Sequence, residues 1–243
     1  MGDLGATNGQ AVVLVHGLFL SPKWMWPLAR DLKRAGFGPI WNLGYGRGPN
    51  LTTICAQLGA ELEELRAGHN KGKGFDGPVH GIGMSMGGLV LRRLYADGHF
   101  PDRDDSHFVT LGTPHLGAAR AAWGCAAHPR FARLLYGPTV FELMPDSPYL
   151  ADLPQLPLDR LSCVYSGRGN DVGRTKRLPG DDDGTVETSS TYVPGSEPVF
   201  VKDVHHYWLS INRRTRQAAV DALLRATLGL ATVPADTVQL ARG

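Results

Sequence analysis

Three residue types able to carry out covalent acyl chemistry arrive along this chain in a useful order. A serine stands in "GMSMG", Gly83 to Gly87. An acidic loop follows in "GDDDGTVETSS", where Asp183 directly precedes Gly184, and two histidines, His205 and His206, close the series in "KDVHHYWLSIN". A serine hydroxyl is a weak nucleophile at neutral pH. It needs a base within hydrogen-bond reach and a carboxylate to orient that base. Together the three would attack a carbonyl carbon and carry the acyl group on Ser85. The oxyanion formed in that attack needs N–H donors already in place. Met86, directly after the serine, would open a helix and offer a free amide with the helix dipole behind it. A second donor would come from "HGLF", at Leu18.

The pentapeptide alone decides little, because 31 of the 243 residues are glycine. Its setting decides more. "GPVHGIGMS" reads as a strand ending at Ser85, and "MGGLVLRRLYADGHF" as a helix starting immediately after it. At such a junction a sharp turn lifts a serine above the C-terminal edge of a parallel sheet. Gly83 and Gly87 keep the space two residues either side of the serine clear, and Gly88 lets the helix pack closely. The acidic loop follows the fifth expected strand and the histidine pair the sixth, so both reach the same edge.

The elements that must position these groups alternate. "AVVLVHG" from Ala11 is an apolar, β-branched run suited to a strand buried on both faces. "SPKWMWPLARDLKRAGF" puts Trp24, Leu28 and Leu32 on one helical face, "GPIWNLGYG" reads as the second strand, and "PNLTTICAQLGAELEELRAG" is a helix capped by Asn50 or Thr52. "SHFVTLGTP", "LDRLSCVYSG" and "EPVFVKDV" supply strands four to six, and "HYWLSINRRTRQAAVDALLRATLG" a long closing helix. This alternation predicts an α/β fold of about six mostly parallel strands with helices on both faces. The interval 117–158 is too long for an ordinary connection and is expected to form short helices capping the Ser85 edge. The chain 1–243 thus reads as one domain with a cap-like insertion at 117–158, its tail after Thr232 loosely held.

Composition bounds the rest. A net charge of +2 with scattered arginines points away from nucleic acid, and "INRRTRQ" reads as a solvated helix face. Cys55, Cys125 and Cys163 are odd in number and far apart, suggesting neither a zinc site nor a disulfide framework. "MGDLGATNGQ" has no basic segment leading into an apolar core, and no run approaches the roughly 18 apolar residues of a membrane helix. A cytoplasmic chain with no integral membrane segment is expected. No pattern specifies acyl length or oligomeric state.

Taken together, "VLVHGL", "GMSMGG", "LGTPHLG", "DGTV" and the late histidine resemble the α/β-hydrolase superfamily, and within it the small bacterial lipases and esterases. The resemblance runs from Val12 to the closing helix. It implies a Ser-His-Asp esterase needing no cofactor or metal and acting on a small-molecule or lipid ester. Carried over, the nucleophile falls on Ser85, the acid on Asp183, the base on the 205–206 pair, and the oxyanion amides on Leu18 and Met86. His206 is preferred, because its spacing to Leu209 and Asn212 matches the family better. Asp181 and Asp182 are read as solvated loop carboxylates, with Asp171 and Asp203 as outside candidates. Met84 departs from the polar residue that often precedes the nucleophile.

The expected substrate wall is Phe19, Met84 and Leu116, with Leu18, Trp24 and Met86 beside them and Trp123, Leu143 or Tyr149 from the cap. His115 reads as loop packing, and His69, His80, His99, His107 and His128 as structural or surface residues. The rival readings are a serine acyltransferase or thioesterase with the same triad, and a non-catalytic binding protein on the same fold.

Overall fold

A computed structural model describes residues 8–68, 74–100 and 106–230; His69 and the tail after Thr232 lie outside them. Six strands, β1 (Asn8–Val15), β2 (Gly38–Leu43), β3 (Val79–Met84), β4 (Phe108–Leu111), β5 (Leu161–Tyr165) and β6 (Glu197–Phe200), form one sheet in the order β2-β1-β3-β4-β5-β6. Every pairing is parallel. The side chains explain the two-sided burial. Ala11, Val13 and Val15 of β1 enter one core with α2 (Leu51–Ala67) and α3 (Met86–Ala96), while Val12 and Leu14 enter the other with α1 (Trp26–Arg34) and α9 (Arg213–Thr227). A strand covered on both faces reads as a near-continuous apolar run, as Ala11–Val15 of β1 does; β3 is buried along its whole length with His80 inside it.

Local capping sets the helix boundaries. Asn50 is the N-cap of α2, its side-chain oxygen accepting from the Thr53 amide at 2.9 Å. The closing helix starts later than its sequence suggests. His206–Trp208 forms only a 3-10 turn, and α9 begins at Arg213, where Asn212 accepts from the Arg214 amide at 2.9 Å. A helix continuous from Tyr207 would leave that cap unused. Within "INRRTRQ", Arg213 and Arg214 are exposed, but Arg216 is held by Asp31 of α1 at 2.7 Å.

The interval 117–158 folds into α4 (Ala119–Ala127), α5 (Pro129–Tyr136), α6 (Thr139–Glu142) and α7 (Pro148–Ala151), then returns Leu153 and Leu156 to the core; a short α8 (Thr188–Thr191) follows the acidic loop. Arg92 of α3 ties this return to the sheet. Fully buried, its guanidinium donates to the carbonyls of Pro154 (3.0 Å), His115 (3.1 Å) and Leu153 (2.6 Å). Burial lowers its pKa to about 10, so it stays charged at neutral pH. The three cysteine thiols are free and buried. Among the described residues no helix is long and apolar enough to cross a membrane.

Candidate active site

β3 delivers Ser85 to the C-terminal edge of the sheet, and α3 leaves from the next residue. Ser85 has φ 51° and ψ −125°, a conformation that a side chain tolerates only where the surroundings impose it. They do so here through both of its backbone groups. Its amide donates to the Leu111 carbonyl at 2.8 Å, and its own carbonyl accepts from the Gly88 amide at 3.0 Å and the Thr113 hydroxyl at 2.9 Å. The flanking glycines are required by space. A Cβ on Gly83 would come within 2.5 Å of the Gly88 nitrogen, and one on Gly87 would strike the Val15 carbonyl of β1.

The Ser85 hydroxyl lies 2.8 Å from Nε2 of His206, whose Nδ1 is 2.6 Å from Oδ2 of Asp183. An ionised carboxylate only accepts, so this pairing assigns the ring proton to Nδ1 and leaves Nε2 free to take the serine proton. Asp183 is itself fully buried, and its Oδ1 accepts from the amides of Thr185 (3.0 Å) and Val186 (2.8 Å). Its carbonyl accepts from the His206 amide at 2.9 Å, so acid and base are joined through backbone as well as side chain. His205 faces elsewhere, its ring lying beside that of Tyr207 and against Gly184.

Of the neighbouring carboxylates, Asp182 is not solvated, contrary to expectation, whereas Asp181 keeps part of its surface in solvent. Asp182 is completely buried and accepts from the amides of Arg174 (2.9 Å), Thr175 (3.0 Å) and Gly184 (2.7 Å). Asp181 accepts from the amides of Arg168 and Gly169 at 2.8 Å each and of Asp182 at 3.0 Å. The physical reason is that a tight loop drawn under a sheet edge leaves its own N–H groups without strand partners, and carboxylates satisfy several at once. Gly112, at the end of β4 with φ 57°, also carries the site. A Cβ there would stand 3.2 Å from Oδ2 of Asp183 and 3.3 Å from Nδ1 of His206. Its place in "LGTP", directly after a strand on the serine's edge, is the sequence signal that could have found it.

The turn after β1 passes against the serine, since a Cβ on Gly17 would lie 3.0 Å from that of Ser85. His16 braces this turn. Its ring stacks on Tyr45 at 4.2 Å, Nδ1 donates to the Gly17 carbonyl at 2.9 Å, and the Tyr45 hydroxyl donates to the His16 carbonyl at 2.7 Å. Burial holds the His16 pKa below its ordinary value, consistent with a neutral ring. Leu18 lies in this turn and Met86 is the first residue of α3, one of the positions whose amide has no partner within the helix.

Ser85 and His206 open into a cavity of about 750 Å³. Leu18, Phe19 and Met84 line it from the sheet side, and Ala121, Trp123, Val140 and Leu143 from the cap. Leu116 does not. It is 62% exposed and stands outside the lining, because the chain turns at Gly117 and carries the preceding side chain outward. Met86 sends its side chain into the core, Tyr149 packs there with its hydroxyl 3.7 Å from Cys55 Sγ, and Trp24 meets Trp208 outside the cavity. His115 is buried behind the site, where burial and then the nearby Arg92 push its pKa down to about 3. Arg120, Arg177 and Leu178 join the lining with no sequence signal that distinguished them.

Residues 12–239 match the alpha/beta hydrolase family. No curated protein matches the chain in sequence. Among solved structures, a Bacillus licheniformis lipase, BlEst2 in its mature form, superposes with a TM-score of 0.63 at 18% identity, over 88% of this chain and 91% of that one. Phospholipase PlaB from Legionella pneumophila superposes with a TM-score of 0.65 at 13% identity, over 95% of this chain and 63% of that one. A thermophilic esterase from Thermogutta terrifontis gives 0.51 at 15% identity, over 90% and 91%. At such identities the likeness is one of fold. With the family match spanning nearly its whole length, the chain belongs to the alpha/beta hydrolase family.

Proposed function

We propose that the chain hydrolyses carboxylic esters through an acyl-enzyme on Ser85. The observation that carries this reading is the unbroken relay from Ser85 Oγ through His206 to Asp183, at 2.8 and 2.6 Å, opening into a largely apolar cavity. His206 takes the hydroxyl proton as Ser85 attacks the ester carbonyl, then returns it to the departing alcohol. Asp183 holds the ring in the required tautomer and offsets the imidazolium charge. The amides of Leu18 and Met86 receive the oxyanion, the second with the positive end of α3 behind it. Water then attacks the acyl-enzyme by the same route in reverse. Leu18, Phe19 and Met84 form the acyl wall, and the side chains of α4 and α6 close over it.

The test is turnover of a 4-nitrophenyl ester series from acetate to palmitate, with fluorophosphonate labelling in parallel. Wild type should label and turn over at least one ester, and Ser85→Ala should do neither. A folded wild-type sample that neither labels nor hydrolyses any of them refutes the reading. Thioester turnover well above that of matched esters would redirect it to a thioesterase.

A further inference from the structure

Two charged side chains line the cavity that holds Ser85 and His206, and both are arginines: Arg120 at the start of α4, and Arg177 from the loop preceding the acids. No carboxylate joins that lining. The acids close enough in the chain to neutralise them are engaged elsewhere. Asp181 and Asp182 are turned to backbone amides, Asp183 to His206, and Asp203 to Arg174 at 2.6 Å. Glu187 is buried against its own amide and that of Ala119, with Oε2 left unpartnered, and forms no ion pair with Arg120. Among the described residues neither Arg120 nor Arg177 forms an ion pair. Arg120 donates one N–H to the Gly184 carbonyl at 2.7 Å, which fixes its guanidinium at the wall and leaves it further donors.

The cleft is therefore bipolar, with apolar walls from Leu18, Phe19, Trp123 and Leu143 and uncompensated positive charge from two forked donors. Both arginines line the cavity while staying exposed to solvent, so salt screens their charge, and what they offer is paired N–H bonds that fit planar or tetrahedral oxyanions. A wholly neutral ester would draw nothing from this charge.

We propose that the ester taken by this cleft carries an anionic group, carboxylate or phosphate, beside its apolar portion, and that Arg177 and Arg120 bind that anion. This proposal rests on the reading of Ser85 given above and adds the substrate class.

The experiment compares anionic esters with near-isosteric neutral ones. Mono-4-nitrophenyl adipate against 4-nitrophenyl heptanoate puts a carboxylate on the acyl side. A carboxylate-bearing nitrophenyl butyrate against 4-nitrophenyl butyrate puts it on the leaving group, and a 1-acylglycerol 3-phosphate against the corresponding monoacylglycerol supplies a phosphate. The readout is the ratio of kcat/KM, anionic to neutral, in which a general loss of activity cancels. At least one pair should favour the anion by roughly fivefold or more at low ionic strength, a preference that shrinks in about 0.5 M salt. Arg177→Glu should invert that ratio, and Arg120→Gln should lower it. Ratios at or below one in all three pairs, or a preference that Arg177→Glu leaves unchanged, overturn the proposal. If neutral esters are turned over in a Ser85-dependent way while the ratios fail, this inference falls alone. If no ester is turned over and Ser85→Ala behaves as wild type, both readings fall.

Discussion

Asp183→Asn separates the tautomer of His206 from the rest of the site. In the native loop Oδ1 of Asp183 accepts two amides, at 3.0 and 2.8 Å, and Oδ2 receives the Nδ1 proton of His206 at 2.6 Å. Asparagine has one oxygen and one NH₂ to distribute over these positions. Its oxygen must stay with the amides of Thr185 and Val186, because an NH₂ there would face two buried donors. The NH₂ is then left opposite His206 Nδ1, which can accept it only by giving up its own proton. The ring is forced to carry hydrogen on Nε2, 2.8 Å from Ser85 Oγ, and in that form it cannot take the serine proton. Wrong-tautomer substitutions of this kind cost about 10⁴ in kcat, or about 5.5 kcal/mol of barrier. The fold should survive, since shape and both amide bonds are kept, with a loss of about 1–2 kcal/mol, a few degrees in Tm. The assay is kcat on a short 4-nitrophenyl ester beside the rate of fluorophosphonate labelling, with thermal unfolding as control. The two rates should fall together, because both require deprotonated Ser85. A folded Asp183→Asn protein within tenfold of wild type would falsify the role given to Asp183.

Other perturbations test the supports. Gly87→Ala places a methyl against the Val15 carbonyl and should cost about 1–3 kcal/mol and most of the esterase activity, read by chemical denaturation and turnover. Asp182→Ala strands the amides of Arg174, Thr175 and Gly184. At about 1 kcal/mol or more each it should lower stability by roughly 3 kcal/mol, while an effect no larger than that of an exposed-loop substitution would refute its structural role. Acid should unfold the protein early. Burial, with His107 adding to it, pushes His80 down to about 3; burial pushes His107 to about 4; and burial, then Arg92, takes His115 to about 3. Each folded value lies below the unfolded value near 6.5, so between them the unfolded chain binds more protons. Stability is therefore intact above about pH 6.5 and falls by about 1.4 kcal/mol per unit per histidine below it. Glu142 and Glu187, raised by burial, soften that slope, but a native circular dichroism spectrum at pH 3 would contradict it.

What the chain discloses in advance follows from how local each cause is. The serine turn was legible because β3, Ser85 and α3 are contiguous, and the strands because two-sided burial leaves a near-continuous apolar run. The acidic loop misled for the opposite reason. Asp182, read with Asp181 as a solvated loop carboxylate, looks like one unless the amides of Arg174 and Thr175, several residues away, are known to need an acceptor. The late start of α9 turned on a single cap at Asn212, hidden inside a pattern that favours helix throughout. Leu116 and Trp24 were expected in the cavity and lie outside it. Arg120 and Arg177 were not expected there and line it, because membership depends on the path of the cap rather than on periodicity.

The connectivity of the site also divides it into two bodies. Ser85 is bound to the sheet through the Leu111 carbonyl and the Thr113 hydroxyl, so it moves with β3 and β4. Asp183 and His206 are bonded to each other through backbone and side chain, and Asp183 is tied to its own loop at Val186, its amide donating to the Val186 carbonyl and its Oδ1 accepting from the Val186 amide. The hydroxyl-to-imidazole bond, at 2.8 Å, is one bridge between these two bodies; the pairing of β4, β5 and β6 and the bonds of Ser190 to the His115 amide and the Gly117 carbonyl are others. Gly112 limits how closely they approach, since any side chain there would press on the acid–base pair from the sheet side. Arg120 joins the second body to the cap through the Gly184 carbonyl, one residue from Asp183. A displacement of α4 therefore reaches the acid loop through Gly184, and reaches the serine through the preceding segment, in which Thr113 holds the Ser85 carbonyl. On the proposed reading, an acyl group packing against the cap would bear on both halves of the relay, on Asp183 through Gly184 and on Ser85 through the segment that carries Thr113.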